Sequence, residues 1–176
     1  DVFSSDRNGI TYTVKKLSYN AFRENSTIKR VYISSGIQNI GQMCFYKCSN
    51  LTYVSIPNTI QRMDSCCFQL CKNLTTVSFA SNSILTEIPT ATFASCSSLT
   101  SISIPDSVKR IGMAAFDSCS NLNTVSINYL SSKLEYIEMG AFTNCYNLSN
   151  VVLPKSVKKI GVIAFENCRG ISSLNV

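Results

Sequence analysis

Residues 104–127, IPDSVKRIGMAAFDSCSNLNTVSI, hold every feature from which the rest of the chain can be read. Pro105 opens a turn, Val108 and Ile111 form an apolar pair, and Gly112 follows. Ala115-Phe116, Cys119 and the short alternating run Leu122, Val125, Ile127 complete the unit. With Phe116 as marker, the pattern recurs at Phe22, Phe45, Phe68, Phe93, Phe142 and Phe165, at intervals of 23, 23, 25, 23, 26 and 23 residues. A domain with one central core does not produce such spacing, whereas a stacked solenoid requires it.

The register extends beyond the Phe. Before it stand the pairs Val14/Leu17, Ile37/Ile40, Ile60/Met63, Leu85/Ile88, Val108/Ile111, Leu134/Ile137 and Val157/Ile160. After it come Ile28, Leu51, Leu74, Leu99, Leu122, Leu148 and Ile171, each followed by a V-x-I-like pair such as Val54/Ile56 or Ile102/Ile104. Each column is apolar in all copies. Period-two alternation makes L-x-x-V-x-I a short strand buried on one face, with Val54 and Ile56 inward and Tyr53 and Ser55 outward. Pro57, Pro105 and Pro154 lack the N–H that a ladder needs and end the strand. Gly41, Gly112 and Gly161 are expected to allow a sharp reversal. Segments such as MAAFDSC are expected to form one or two turns of α or 3₁₀ helix. The longer intervals place insertions at 81–83 and 128–133, on the rim of the solenoid.

The chain has 176 residues, 45% hydrophobic, with no Trp or His and a net charge of +6. No copy buries its own apolar face, but about seven copies over residues 14–176 bury a continuous core. Residues 1–13 do not fit the repeat. Asn8-Gly9 signals a hairpin turn, so this segment is expected to be a strand or hairpin that caps the core. The last strand column ends at Val176 with no cap in view, which predicts that the array continues or that another molecule covers that end. No apolar run reaches the roughly 18 residues of a membrane span, and nothing resembles a signal peptide.

L-x-x-V-x-I-P followed by V-x-x-I-G-x-x-A-F-x-x-C-x-x-L resembles the BspA-like leucine-rich repeat family over roughly residues 14–176. The resemblance implies an α/β, mostly β, right-handed solenoid with a parallel sheet on one face and short helical or 3₁₀ turns on the other. Members are largely cell-surface or secreted proteins of host-associated bacteria and parasitic protozoa, implicated in adhesion to host cells and matrix proteins such as fibronectin. It implies no catalytic residues.

Six of the nine cysteines, Cys48, Cys71, Cys96, Cys119, Cys145 and Cys168, stand three after the Phe. Such a column stacks as small buried thiols. Cys44, Cys48, Cys67 and Cys71 form an i, i+4 pair on adjacent copies, which raises a zinc reading, although packing alone explains both columns. One cysteine per copy and an odd total argue against a disulfide framework. Without His there is no Ser-His or Cys-His pair, the acidic residues are scattered, and no Gly-rich phosphate loop occurs. An enzyme reading and a cofactor are not expected.

Two outward faces remain. The strand face carries Arg30, Tyr32, Tyr53, Ser55, Thr76 and Ser78 and continues, hydroxyl-rich, to Ser173 and Asn175; Arg and Tyr are frequent interface anchors. Lys15, Lys16, Arg62, Lys109, Arg110, Lys158 and Lys159 lie between the residues of the apolar pair and form a broken basic stripe suited to sulfated glycans or another polyanion. Nucleic acid is not expected, because aromatics do not interleave with that stripe. Asn25, Asn50, Asn73 and Asn147 begin N-glycosylation sequons, weak support for a secreted route. The leading expectation is a cell-surface or secreted module that adheres to host or matrix protein through its strand face. The alternatives are an intracellular scaffold or structural spacer, and a polyanion-binding module.

Overall fold

Each apolar column of the repeat becomes one continuous line of contacts along the solenoid. The computed structural model describes residues 3–5 and 11–172. At the N-terminus β1 (Phe3–Ser5) and β2 (Thr11–Thr13) pair antiparallel, Phe3 opposite Thr13. The turn signal at Asn8-Gly9, like Ser173, Asn175 and Val176 at the other end, lies outside the described residues.

Two parallel ladders follow. The apolar pairs give two-residue strands: β3 (Lys16–Leu17), β5 (Asn39–Ile40), β7 (Arg62–Met63), β9 (Glu87–Ile88), β11 (Arg110–Ile111), β13 (Tyr136–Ile137) and β15 (Lys159–Ile160). The V-x-I runs give the front sheet: β4 (Arg30–Tyr32), β6 (Tyr53–Ile56), β8 (Thr76–Phe79), β10 (Ser101–Ile104), β12 (Thr124–Ile127) and β14 (Asn150–Val151). Register follows the repeat, with Val54 opposite Val77 and Ile102 opposite Val125. Both ladders break at one place, between β7 and β9 and between β8 and β10. The seam coincides with the first insertion.

The third side of each coil corrects the expectation of helical turns: no helix forms among the described residues. Residues two before and two after each Phe adopt left-handed backbone angles, such as Ala114 (φ 52°) and Ser118 (φ 59°) around Phe116. A helix cannot accommodate these. Alternate N–H groups bond within the turn, such as Cys44 to the Gly41 carbonyl (3.2 Å) and Tyr46 to Met43 (3.1 Å). The others donate to the next copy: Met43 to Ser65 (3.2 Å), Phe45 to Cys67 (2.8 Å) and Lys47 to Gln69 (2.8 Å). The turns therefore stack as a ladder of their own. It continues across the seam through Cys66 to Thr90 (3.0 Å), Phe68 to Thr92 (3.0 Å) and Leu70 to Ala94 (2.8 Å).

Inside, the seven Phe rings stack face to face from Phe22 to Phe165, with neighbouring centroids 5.1–5.5 Å apart. Beside them runs the cysteine column. Each Sγ–H donates to the carbonyl of the preceding copy's Phe: Cys48 to Phe22 (3.1 Å), Cys71 to Phe45 (3.0 Å), Cys96 to Phe68 (3.2 Å) and onward to Cys168 and Phe142 (3.1 Å). The thiol thus fills volume and occupies the second lone pair of a buried carbonyl. All nine cysteines are free. Among the described residues, no group of three or more His, Cys, Asp or Glu converges as a metal site.

The glycines serve a different purpose from the reversal expected of them. A Cβ on Gly112 would lie 2.7 Å from the Pro89 and Thr90 backbone, and one on Gly161 would lie 2.4 Å from the Met139 nitrogen. These positions need Gly because the preceding coil passes that close. Gly112→Ala is expected to cost at least about 2 kcal/mol, since backbone rather than a flexible side chain must move. The urea midpoint measures this; an unchanged midpoint would refute close approach as the constraint.

Candidate protein-binding face

Parallel register brings residues one repeat apart into contact, so Arg30 lies opposite Tyr53 and Tyr32 opposite Ser55. The first three side chains form one cluster. The Arg30 guanidinium carbon lies 4.8 Å from the Tyr53 ring centroid and 5.6 Å from that of Tyr32, and the two rings are 5.4 Å apart. These are cation–π distances, and the rings hold the guanidinium in place. Arg30 makes no ion pair among the described residues, so its donors stay free for an incoming acceptor. Tyr32 remains 63% exposed. Next in the same columns come Thr76, beside Tyr53, and Ser78, beside Ser55. The six predicted residues therefore form one patch across β4, β6 and β8. Beside it the end of the core stays partly open, with Val14 41% and Phe22 38% exposed.

The basic stripe falls on the other ladder and is interrupted by carboxylates. Arg62 Nε lies 2.7 Å from Asp64 Oδ1, Arg110 pairs with Glu138 and covers the Tyr136 ring (4.6 Å), and Lys158 Nζ lies 3.0 Å from Glu135 Oε2. Hydrogen bonding to Glu135 holds the Lys158 ammonium above its ordinary pKa. Lys15, Lys16, Lys109 and Lys159 are exposed and make no ion pair among the described residues. Exposed charges paired in this way offer a polyanion little. Glu135 interrupts the stripe within the apolar pair Leu134/Ile137, whereas Asp64 and Glu138 were not legible as partners because they lie outside the apolar-pair columns.

Two sequons are part of the ladder. The Asn73 amide donates to the Ser49 carbonyl (2.8 Å), and the Thr52 and Thr75 hydroxyls donate to Lys29 (2.9 Å) and Thr52 (3.0 Å). Asn50 donates likewise to Ser26. Asn-x-Thr recurs here because both side chains satisfy carbonyls of the preceding coil.

Burial holds most of the thiols in their protonated form, while hydrogen bonding with Cys71 lowers the pKa of Cys48. Burial pushes Cys44 and Cys119 up to about 12 and raises Cys67 and Cys96 well above the ordinary thiol value. A thiol held protonated in this way is a poor nucleophile at neutral pH.

A family profile described as "BspA type Leucine rich repeat region" matches residues 7–123 and 82–176, in six copies. The chain belongs to the BspA-type leucine-rich repeat family. No curated protein matches it. Among solved structures, it is similar to a leucine-rich repeat protein of T. pallidum, at 29% identity and TM-score 0.84, covering 96% of this chain and 75% of that one. It is also similar to a leucine-rich repeat protein of Bacteroides ovatus, at 33% identity and TM-score 0.81, covering 92% and 40%. A leucine-rich cell surface protein of Faecalibacterium prausnitzii shares the fold at 23% identity and TM-score 0.78, covering 99% and 45%. The chain thus spans less than half the length of the last two. BspA-type repeats, like other leucine-rich repeats, are generally protein-binding modules. No helix among the described residues is long and apolar enough to cross a membrane.

Proposed function

We propose that this BspA-type array is the adhesive part of a cell-surface or secreted protein, and that it binds host or extracellular-matrix protein through its front sheet. The observation that carries this reading is the Arg30, Tyr32 and Tyr53 cluster. It holds a guanidinium against two rings with its donors unused, at the edge of a neutral hydroxyl-rich strip formed by Ser55, Thr76 and Ser78. Preorganised Arg and Tyr give large contact area at small entropic cost, as interface hot spots do.

The test is binding to immobilised fibronectin and other matrix proteins at low and physiological salt. Saturable binding that survives salt is expected, weakened roughly 30-fold when Arg30, Tyr32 and Tyr53 are all changed to Ala, the effect of losing one hot spot of about 2 kcal/mol. Binding lost with salt and insensitive to those changes would favour the polyanion reading, with Lys15, Lys16, Lys109 and Lys159 as its residual site. No binding to any matrix protein would favour the spacer or scaffold.

A further inference from the structure

The two insertions shape a part of the front sheet that the Arg30 cluster does not reach. The second insertion is held by hydrogen bonds of its own and by bonds to Asp106. Asn128 Oδ1 accepts from the Leu130 N–H (3.1 Å) and the Ser131 N–H (3.3 Å), and the Ser132 N–H donates to the Asn128 carbonyl (3.0 Å). The Ser131 hydroxyl donates to the Asp106 carboxylate, and the Lys133 N–H to the Asp106 carbonyl (2.9 Å). At its tip Leu130 is 92% exposed.

Between this loop and the first insertion lies an open trough of two joined depressions, about 190 and 530 Å³, which share Ser103, Ile104 and Asp106. It begins at the seam, at Ala80 and Ser81, and ends at Asn128 and Val152. Val152 follows Ser55, Ser78, Ser103 and Ser126 in the outward column and is 54% exposed there. Asp106 is the single ionisable residue among the described residues of the lining. No cation lies within ion-pair distance of its carboxylate among the described residues.

We propose that this trough is a second docking surface, taking an extended polypeptide segment of a partner protein that presents a lysine or arginine to Asp106 and an aliphatic side chain to Val152. Charge complementarity selects the basic residue: an exposed, unpaired carboxylate held by Ser131 accepts a charge-assisted hydrogen bond without rearrangement. The three steps from β8 to β14 span about 14 Å, the length of roughly four extended residues. The surface is independent of the Arg30 cluster, so either can fail alone.

The experiment is an amide-resolved NMR titration of the whole chain with two synthetic peptides, acetyl-STVKVTS-amide and the same peptide with Glu in place of Lys. The Lys peptide is expected to shift the amides of Ser103, Ser126 and Val152, while the Glu peptide leaves them unmoved. Asp106→Asn keeps an oxygen for Ser131 and is expected to weaken the Lys peptide roughly fivefold, with the remaining spectrum unchanged. Val152→Ser is expected to weaken it as well, and Arg30→Ala to leave it as it was. Equal responses to both peptides, shifts confined to other residues, insensitivity to Asp106→Asn, or no response would each overturn the proposal. So would shifts of the same amides by a neutral mannose oligosaccharide with none by the peptide, which would make the trough a glycan site.

Discussion

Raising the pH from 8 to 11 is expected to unfold this chain in one steep transition, driven by its buried thiols. Burial pushes Cys44 and Cys119 to about 12, and raises Cys67, Cys96 and Cys145, from the ordinary value of 9.0. A group whose folded pKa is raised contributes stability that is fully present below its unfolded pKa. That stability is lost as pH climbs from there through the folded pKa. Between about pH 9 and pH 11 each such thiol removes about 1.4 kcal/mol per pH unit. Five acting together remove roughly 7 kcal/mol per unit, comparable with the whole stability of a typical domain, about 5–15 kcal/mol. The check is the urea midpoint under reducing conditions at pH 8, 9, 10 and 11. It should be level to pH 8 and fall steeply above 9. A midpoint that stays level to pH 10 would show that the cysteine column opens to solvent without unfolding.

That column was legible because it lies along the stacking direction. In a parallel stack, residue i and its equivalent one repeat later become neighbours, so each apolar column in the sequence is already a line of contacts, from Phe22–Phe45 to Phe142–Phe165. The same rule brought Arg30, Tyr32 and Tyr53 together. The turn side was not legible. Its left-handed positions carry Met43, Cys66, Ala91, Ala114 and Ile163, and only Gly140 (φ 63°), Asn20, Asn144 and Asn167 have a residue type that announces such a conformation. MAAFDSC has helix-forming composition, but the pull of the next coil on alternate N–H groups outweighs propensity. Nor could the seam be read, because the insertion after Asn128, one residue longer, leaves β12 paired with β14. The trough escaped for a related reason: Asp106 belongs to a turn column where other copies carry Asn58 and Lys155, and only the loop folded over it, through Ser131, makes that carboxylate distinctive.

The seam makes Phe93 the most consequential residue of the stack. In a solenoid, stability is approximately a sum of repeat and neighbour-interface terms, and a weak interface lets the two sides melt separately. Neither strand ladder crosses between the third and fourth copies. Across the junction run the turn ladder, the Ser98 N–H to Lys72 bond (3.1 Å), the Cys96 thiol on the Phe68 carbonyl and the Phe68–Phe93 stack (5.5 Å). Phe93→Ala removes a fully buried ring, at a cost of about 3–5 kcal/mol, and takes the ring stack out of a junction that no strand ladder bridges. Its urea unfolding is expected to split into two transitions, with amide exchange fast on one side of the seam while the other stays protected. Phe116→Ala should cost a similar amount. There, however, β10 remains paired with β12 and β11 with β13, so a single transition should persist at lower urea. If both variants unfold in one step with equal midpoints, the interrupted ladders carry no less coupling than the continuous ones, and the array is a single cooperative unit despite its seam.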